Sequence, residues 1–282
     1  MTSLPQTRTP YIRGTDPRWI GRQAAQALIL EVETWPKPGL VSHIDTGAHR
    51  DMDADLLRLS AWTLEPYFTA LAEAGAADAG MDRLRQIGME AERAMRKATG
   101  GVNTHRGAIF GLGLLSAAAG LAMSRPWQGS LGAMIAQRWG AEITATPQET
   151  DSHGGVVARR YRVGGAREEA AAGMPAVYDV ARPALAEGRR LAPDNEEAAR
   201  VHACMALIGA VDDSNLLYRG GTEGLAFARD AARGFLRDGG VGHPRWRWQA
   251  KAVHQDFVAR NLSPGGCADL LAMALFTEMV EA

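Results

Sequence analysis

Cysteine is scarce in this chain of 282 residues, which contains only Cys204 and Cys267. The two are far apart and neither has a partner at the spacing of a zinc-ligand pair, so the sequence predicts neither a metal–thiolate site nor a disulfide framework. A reducing compartment suits such a chain, because stable disulfides belong mainly to secreted proteins. We therefore expect a cytoplasmic protein.

An excess of charge of one sign is also absent. The 31 Lys and Arg residues face 32 Asp and Glu residues, and the formal net charge is −1. This balance provides no general attraction for nucleic acid or for an anionic membrane surface. We expect neither as a partner, so any phosphate group must be recognised by a local cluster of residues.

Apolar runs are too short to cross a bilayer. The most apolar segment, 108–123, falls below the roughly 20 residues required. It is interrupted by glycine and serine, which predicts a buried helix with close neighbours. Residues 1–16 are polar and lack the apolar stretch of a signal peptide. We expect a flexible N-terminal arm over 1–16, followed by a single all-helical domain over 17–282.

Alternation with a period of two residues is nearly missing. It occurs at 156–163, between two glycine pairs, and predicts a flexible loop or small hairpin there. Helical spacing dominates elsewhere, with Asp16 and Asp53 as helix caps and a glycine pair at 100–101 as a stop. The sequence thus predicts an all-α fold, a single globular bundle of about ten helices. The predicted helices are 19–33, one that follows Asp53 and breaks or kinks near Pro66, 81–98, 106–124, 130–139, 168–185, 196–211, 222–237, 245–260 and 268–280.

Polar residues that do not serve helix packing collect in four short segments, of which the first is 31–53. Lys37 lies between two prolines, which restrict its backbone and would hold an ammonium group ready for phosphate. Asp45, His49 and Asp51 follow, and Asp53 ends the segment. Carboxylates at this density repel one another unless a cation or a basic group neutralises them. The alternative is a solvated loop between helices.

The second segment, 100–110, joins the end of one predicted helix to the start of the apolar one. Asn103, Thr104, His105 and Arg106 are consecutive polar side chains at that start. Backbone N–H groups at a helix N-terminus favour anions, so this arrangement suits a nucleotide or its phosphates. Ordinary helix capping is the alternative.

The third segment, 212–221, contains Asp212 and Asp213 directly after a predicted helix. Carboxylates at a helix C-terminus are disfavoured by the helix dipole, so their placement requires a compensating cation, either Arg219 or Mg²⁺. In the alternative interpretation, Asp213 and Asn215 bond the backbone of a capped loop.

The fourth segment, 261–271, begins a helix with Ser263 as a cap, and Gly265 and Gly266 expose backbone amides. Such a turn is a candidate phosphate-binding nest. A glycine-containing N-terminus is weak evidence by itself, and simple helix capping is the alternative. Asp269 lies one turn further along and is placed to reach the same cleft. Because each segment holds groups that a shared polyphosphate and metal would require, we expect the four segments to converge on one cleft.

In their order along the chain, these segments resemble the triphosphoribosyl-dephospho-CoA synthases, and the resemblance extends from about residue 31 to the C-terminus. Two small departures are Ser214, where threonine is common, and Cys267, where a small residue often follows the two glycines. The matching motifs are PKPGLVS at 36–42, GAHRDM at 47–52, VNTHRGAIF at 102–110, GARE at 165–168, DSN at 213–215, RGG at 219–221, LSPGG at 262–266 and ADLL at 268–271.

The resemblance implies an all-α enzyme that uses Mg²⁺, joins the triphosphoribosyl part of ATP to 3'-dephospho-CoA and releases adenine. The product would be the precursor of a prosthetic group on an acyl carrier protein. Residues 39–42 and 51–53 look closer to the malonate decarboxylase branch of the family than to the citrate lyase branch. The expected catalytic residues are Asp45, His49, Asp51 and Asp213. The residues expected to bind ATP or the second substrate are Lys37, Ser42, Asn103, Thr104, His105, Arg106, Asn215, Arg219, Ser263, Gly265 and Gly266. The expected metal ligands are Asp51, Asp53, Asp212 and Asp213.

Two other functions fit the same residues. A Mg²⁺-dependent hydrolase of nucleotides or ADP-ribose-type compounds would use water in place of the hydroxyl acceptor. A non-enzymatic nucleotide- or CoA-binding chaperone would need the phosphate sites without the acidic clusters. The sequence leaves open which carboxylate is the general base, the number of metal ions and the oligomeric state, with a homodimer among the assemblies it allows.

Overall fold

The computed structural model describes residues 16–145 and 165–281, and these ranges contain eleven α-helices and no strand. The predicted all-α fold is therefore confirmed. The predicted arm, apart from Asp16, and the segment 156–163 lie outside the described residues. The helices are α1 (Pro17–Val32), α2 (Ala54–Ala76), α3 (Met81–Ala98), α4 (Arg106–Ser124), α5 (Leu131–Ala145), α6 (Ala166–Ala171), α7 (Arg182–Leu191), α8 (Glu196–Ala210), α9 (Ser214–Arg237), α10 (Trp246–Ala259) and α11 (Gly265–Val280), with a π-helical turn at Ala176–Ala181 and a 3₁₀ turn at Gly240–Gly242.

Helix α4 forms the centre of the fold and packs against α2 and α11. It is the described helix with the length and apolarity of a membrane span, but most of it is buried inside the protein. Glycines allow the close approach to α2: a Cβ at Gly120 would lie 1.9 Å from the Ala72 carbonyl oxygen, and a Cβ at Gly75 would lie 1.9 Å from that of Ala117. The prediction of a buried helix with close neighbours is confirmed.

Capping residues start the helices where the sequence predicts. The Asp16 carboxylate accepts a hydrogen bond from the Arg18 N–H, and Asp53 accepts one from Leu56 N–H. These contacts join residues two or three positions apart. The helices therefore begin where local chemistry satisfies their first N–H groups.

Several predicted boundaries differ from the structure, and α5 runs to Ala145, beyond its predicted end at 139. Helix α2 continues past Pro66, because this proline faces solvent and water can satisfy the carbonyl group that it leaves unbonded. The single helix predicted for 168–185 is interrupted at Gly173 and Met174, which have positive φ angles of 89° and 63°. The helix predicted from 222 begins earlier, at Ser214, and changes direction at Gly221, whose φ of 61° and ψ of −161° are not helical.

Candidate functional site

Residues from all four segments line one cleft of about 1440 Å³. The N-terminal ends of α4, α9 and α11 open onto it, together with the buried side of α1 and the loop that precedes α2. The expected convergence is confirmed for these residues, whereas their individual roles remain predictions. The predicted site residues on the cleft wall are His49, Asn103, Thr104, His105, Arg106, Asp212, Asp213, Asn215, Arg219, Ser263, Gly265 and Gly266.

The Asp213 carboxylate connects two helices at the cleft. Its Oδ1 accepts hydrogen bonds from the N–H groups of Asn215, at 2.8 Å, and Leu216, at 3.0 Å, which cap α9. Its Oδ2 accepts a bond of 2.8 Å from the N–H of Cys267 in the first turn of α11. Burial raises the pKa of Asp213, and the three backbone donors oppose that rise. Asp213 therefore fixes the relative position of α9 and α11.

A polar group formed by His49, Ser263 and Arg219 lies beside these helix ends. His49 Nε2 lies 2.8 Å from Ser263 Oγ, and Arg219 Nη2 lies 3.4 Å from both ring nitrogens. Burial and the Arg219 charge lower the pKa of His49, although Asp51, 3.4 Å from Nδ1, works in the opposite direction. The imidazole is thus neutral near pH 7.

Arg219 also holds together the two loops that carry this group. Its Nη1 donates to the Ala48 carbonyl oxygen at 3.0 Å and to Asn261 Oδ1 at 3.2 Å. Those acceptors lie beside His49 in one loop and two residues before Ser263 in the other. A guanidinium with several donors can bridge loops and still face an anion, whereas a lysine has a single ammonium group.

The start of α4 contributes a neutral histidine. Ser60 Oγ, from α2, lies 2.8 Å from His105 Nδ1 and 2.7 Å from Thr104 Oγ1. Burial, with a smaller effect of the Lys37 charge, lowers the pKa of His105 to about 4. Asn103 Oδ1 accepts a hydrogen bond from the Arg106 N–H at 3.3 Å. The second segment thus caps α4 and places an uncharged histidine on the cleft wall.

Five predicted site residues of the first segment do not line the cleft. Lys37 is fully buried, and its ammonium donates to the carbonyl oxygen and the carboxylate of Glu31. Ser42 is buried within the loop, and Asp45 lies 3.2 Å from His254 Nε2 on α10. Asp53 caps α2. These residues shape the loop, and Asp51, the fifth, is exposed and lies 3.4 Å from His49 Nδ1.

Two residues at the site were not assigned a role from the sequence. Glu31 lines the cleft although its helical position gave no sign of it, and Ser60 is buried in α2 behind Thr104 and His105. Asp269 also lines the cleft, as its spacing after the glycine pair predicted. No local pattern would have identified Glu31, because its partner Lys37 approaches it only after the chain turns back.

Carboxyl groups are spread along the cleft wall. Among the described residues, no three His, Cys, Asp or Glu side chains are grouped closely enough to hold a metal ion by themselves. Mg²⁺ commonly takes one or two carboxylates and completes its coordination with phosphate oxygens and water. Asp212 and Asp213 both line the cleft. Asp212 pairs with Arg229 at 2.9 Å, and both oxygens of Asp213 accept backbone N–H groups, so a cation held here would have to compete with these partners.

Known proteins resemble this chain over almost its whole length. Residues 17–282 match the model of a family described as ATP:dephospho-CoA triphosphoribosyl transferase. A probable 2-(5''-triphosphoribosyl)-3'-dephosphocoenzyme-A synthase of Azotobacter vinelandii is 43% identical over 92% of this chain and 90% of its own. Proteins with the same name from Stutzerimonas stutzeri and Acinetobacter calcoaceticus are 41% and 38% identical, over 90% and 92% of this chain and 89% of each relative. No solved structure matches the chain significantly.

Proposed function

We infer the reaction from the family: the chain belongs to the ATP:dephospho-CoA triphosphoribosyl transferases. It is accordingly an enzyme, a triphosphoribosyl-dephospho-CoA synthase. We propose that it transfers the 5-triphosphoribosyl group of ATP to the ribose 2'-hydroxyl of 3'-dephospho-CoA. The observation that carries this proposal is that buried carboxylates line the same cleft as Arg219 and the N-terminus of α11.

The transfer requires negative groups near the ribose and positive groups near the triphosphate. The C1'–N9 bond of ATP breaks, its electron pair leaves with adenine, and the 2'-hydroxyl oxygen forms a new bond to C1'. Positive charge develops on the ribose as in glycoside hydrolysis, so a nearby carboxylate stabilises the transition state. Asp213, whose carboxylate is bonded to backbone N–H groups, provides that negative potential from the cleft wall, whereas Glu31 is paired with the Lys37 ammonium.

The triphosphate, in contrast, requires positive groups. Arg219 and the backbone N–H groups of Gly265 and Gly266 face the cleft at the start of α11, where the helix dipole favours an anion. Mg²⁺, held by Asp212 and Asp213 together with phosphate oxygens, would neutralise further charge on the triphosphate. The neutral His49 leaves the Arg219 charge available to the phosphate.

Adenine release tests the proposal. Purified protein is incubated with ATP and Mg²⁺, with and without 3'-dephospho-CoA, and adenine is quantified by chromatography. We expect release only when the acceptor is present. Release without the acceptor would indicate a hydrolase, and no release with nucleotide still bound would indicate a binding protein.

We further propose that the product serves malonate decarboxylase, on the strength of the motifs at 39–42 and 51–53. The test uses the purified product and the enzyme that attaches this prosthetic group to an acyl carrier protein. Loading of the malonate decarboxylase carrier, measured by mass spectrometry, should exceed loading of the citrate lyase carrier in a matched assay with that system's own attaching enzyme. The reverse preference would assign the chain to the other branch.

A further inference from the structure

The carboxyl group of Asp269 lies on the cleft wall, in the second turn of α11. It accepts a hydrogen bond from the N–H of Ala108, in the first turn of α4. The two helices meet tightly at this point, because a Cβ on Gly107 would lie 2.0 Å from Asp269 Oδ2. Glycine at position 107 therefore allows the carboxyl to approach the start of α4.

Three carboxyl groups on the cleft wall, those of Glu31, Asp213 and Asp269, interact electrostatically, and they differ in their partners and in their access to a substrate. Glu31 is 6% exposed and bonded to the buried Lys37 ammonium, whereas Asp213 is 1% exposed and accepts three backbone N–H groups. Asp269 is only partly buried, and its partner is the single Ala108 N–H. Among the three, Asp269 is the group that a substrate atom can most readily touch.

The charges around Asp269 favour a bound proton. Burial raises the pKa of Asp269 well above its usual range, and the charges of Glu31 on α1 and Asp213 at the start of α9 add to that rise. The Ala108 N–H opposes this rise, and the Cys267 thiol on the same helix is also near. One buried ammonium cannot neutralise three carboxylates, so a proton on the group with the fewest donors relieves the repulsion.

We propose that Asp269 is the general acid of the transfer, a proposal that rests on the function given above. Its carboxyl proton passes to the purine of ATP while the C1'–N9 bond breaks and the electron pair of that bond moves to N9. The 2'-hydroxyl oxygen bonds to C1' and releases its proton to water in the cleft. Water then returns a proton to Asp269, so adenine leaves neutral and the carboxyl is restored.

The test compares two leaving groups in an Asp269→Asn variant. Asparagine keeps the shape and an oxygen acceptor for the Ala108 N–H, but it has no acidic proton to give. With ATP and 3'-dephospho-CoA, we expect kcat to fall by about 100-fold to 10,000-fold, the usual contribution of general acid catalysis. With ATP methylated at N7, whose purine leaves without needing a proton, the variant should approach the wild-type rate. Product is measured as acceptor-linked triphosphoribose, since methylated ATP also loses its purine spontaneously.

A pair of glycine variants tests whether the position of the Asp269 carboxyl affects catalysis. Gly107→Ala should displace the Asp269 carboxyl and lower kcat for ATP, with the same recovery on methylated ATP. Gly234→Ala, in α9, is the matched control, because its new Cβ would contact nothing closer than 3.9 Å. It should leave kcat unchanged. Circular dichroism and ATP binding establish that each variant is folded.

Each outcome either supports or overturns the assignment. An unchanged kcat in folded Asp269→Asn overturns it, and so does an equal loss of activity on both nucleotides, which would indicate that Asp269 positions the substrate. If wild-type protein fails to release adenine with the acceptor, the proposed function itself is wrong. The wild-type assay therefore distinguishes that failure from an error about Asp269.

Discussion

Replacing Lys37 by methionine would remove an ammonium group that is fully buried against the Glu31 carboxylate. Lys37 has 0% exposure, and its Nζ lies 2.7 Å from the Glu31 carbonyl oxygen in addition to its ion pair with the side chain. Methionine has similar length and no charge, so the variant leaves Glu31, itself 6% exposed, without its cation. Breaking a buried pair from one side typically costs about 3–5 kcal/mol.

A loss of this size is measurable, because whole proteins are stable by only about 5–15 kcal/mol. Urea unfolding at pH 7 can be followed through the seven tryptophans and by circular dichroism. The control is the double variant Glu31→Gln with Lys37→Met, in which neither charge remains. We expect it to recover much of the lost stability, giving a clear coupling energy in the double-mutant cycle.

The same variants decide between two roles for Lys37. If the ammonium mainly contacts phosphate, as its position between two prolines suggests, Lys37→Met would unfold at the wild-type urea concentration and show a raised KM for ATP. That result would refute the reasoning from burial. A large loss of stability that the double variant reverses would support a structural pair with Glu31.

Three further predictions follow from single side chains. His105 has a folded pKa of about 4, below the usual 6.5. Its contribution to the free energy of unfolding is therefore fully present above pH 6.5 and is lost as the pH falls toward 4. The loss approaches about 3 kcal/mol, and urea unfolding from pH 7 to 4 should show it in wild type but not in His105→Asn. Asp213→Asn should raise the Mg²⁺ concentration needed for adenine release, and it should also lower the melting temperature, because an amide nitrogen in place of Oδ2 cannot accept the Cys267 N–H; superimposable Mg²⁺ curves would remove this aspartate from the metal site. Arg219→Lys should raise the KM for ATP and weaken the contact between its two loops, seen as faster amide exchange at Ala48, and an unchanged KM would show that Arg219 serves only the fold.

Helix ends were predictable because their causes are local. Asp16 and Asp53 bond N–H groups two and three residues away, so the sequence alone identifies both caps. The convergence of the four segments was also predictable, from the kinds of residue they share. The interruption at Gly173 was not, because helical spacing continues on both sides and the positive φ angles there become visible only in the structure.

Partners that are distant in sequence could not be predicted. Asp213 reaches the first turn of α11, and Asp45 reaches His254, which had no acidic neighbour in the sequence. Lys37 was expected at the cleft, yet it faces α1, because the loop turns back toward the helix that precedes it. Only the packing of the helices decides which of these charged groups meet substrate and which neutralise each other.

The transfer of an intact triphosphate is the central claim, and ATP labelled with ³²P in its γ-phosphate tests it most directly. Wild-type protein is incubated with labelled ATP, Mg²⁺ and 3'-dephospho-CoA, and the products are separated by chromatography. We predict that label enters the CoA-derived product in a 1:1 ratio with the adenine released, and that no labelled inorganic phosphate or pyrophosphate forms through the reaction. Adenine release with the label in free triphosphoribose, or label in phosphate or pyrophosphate, would contradict the account.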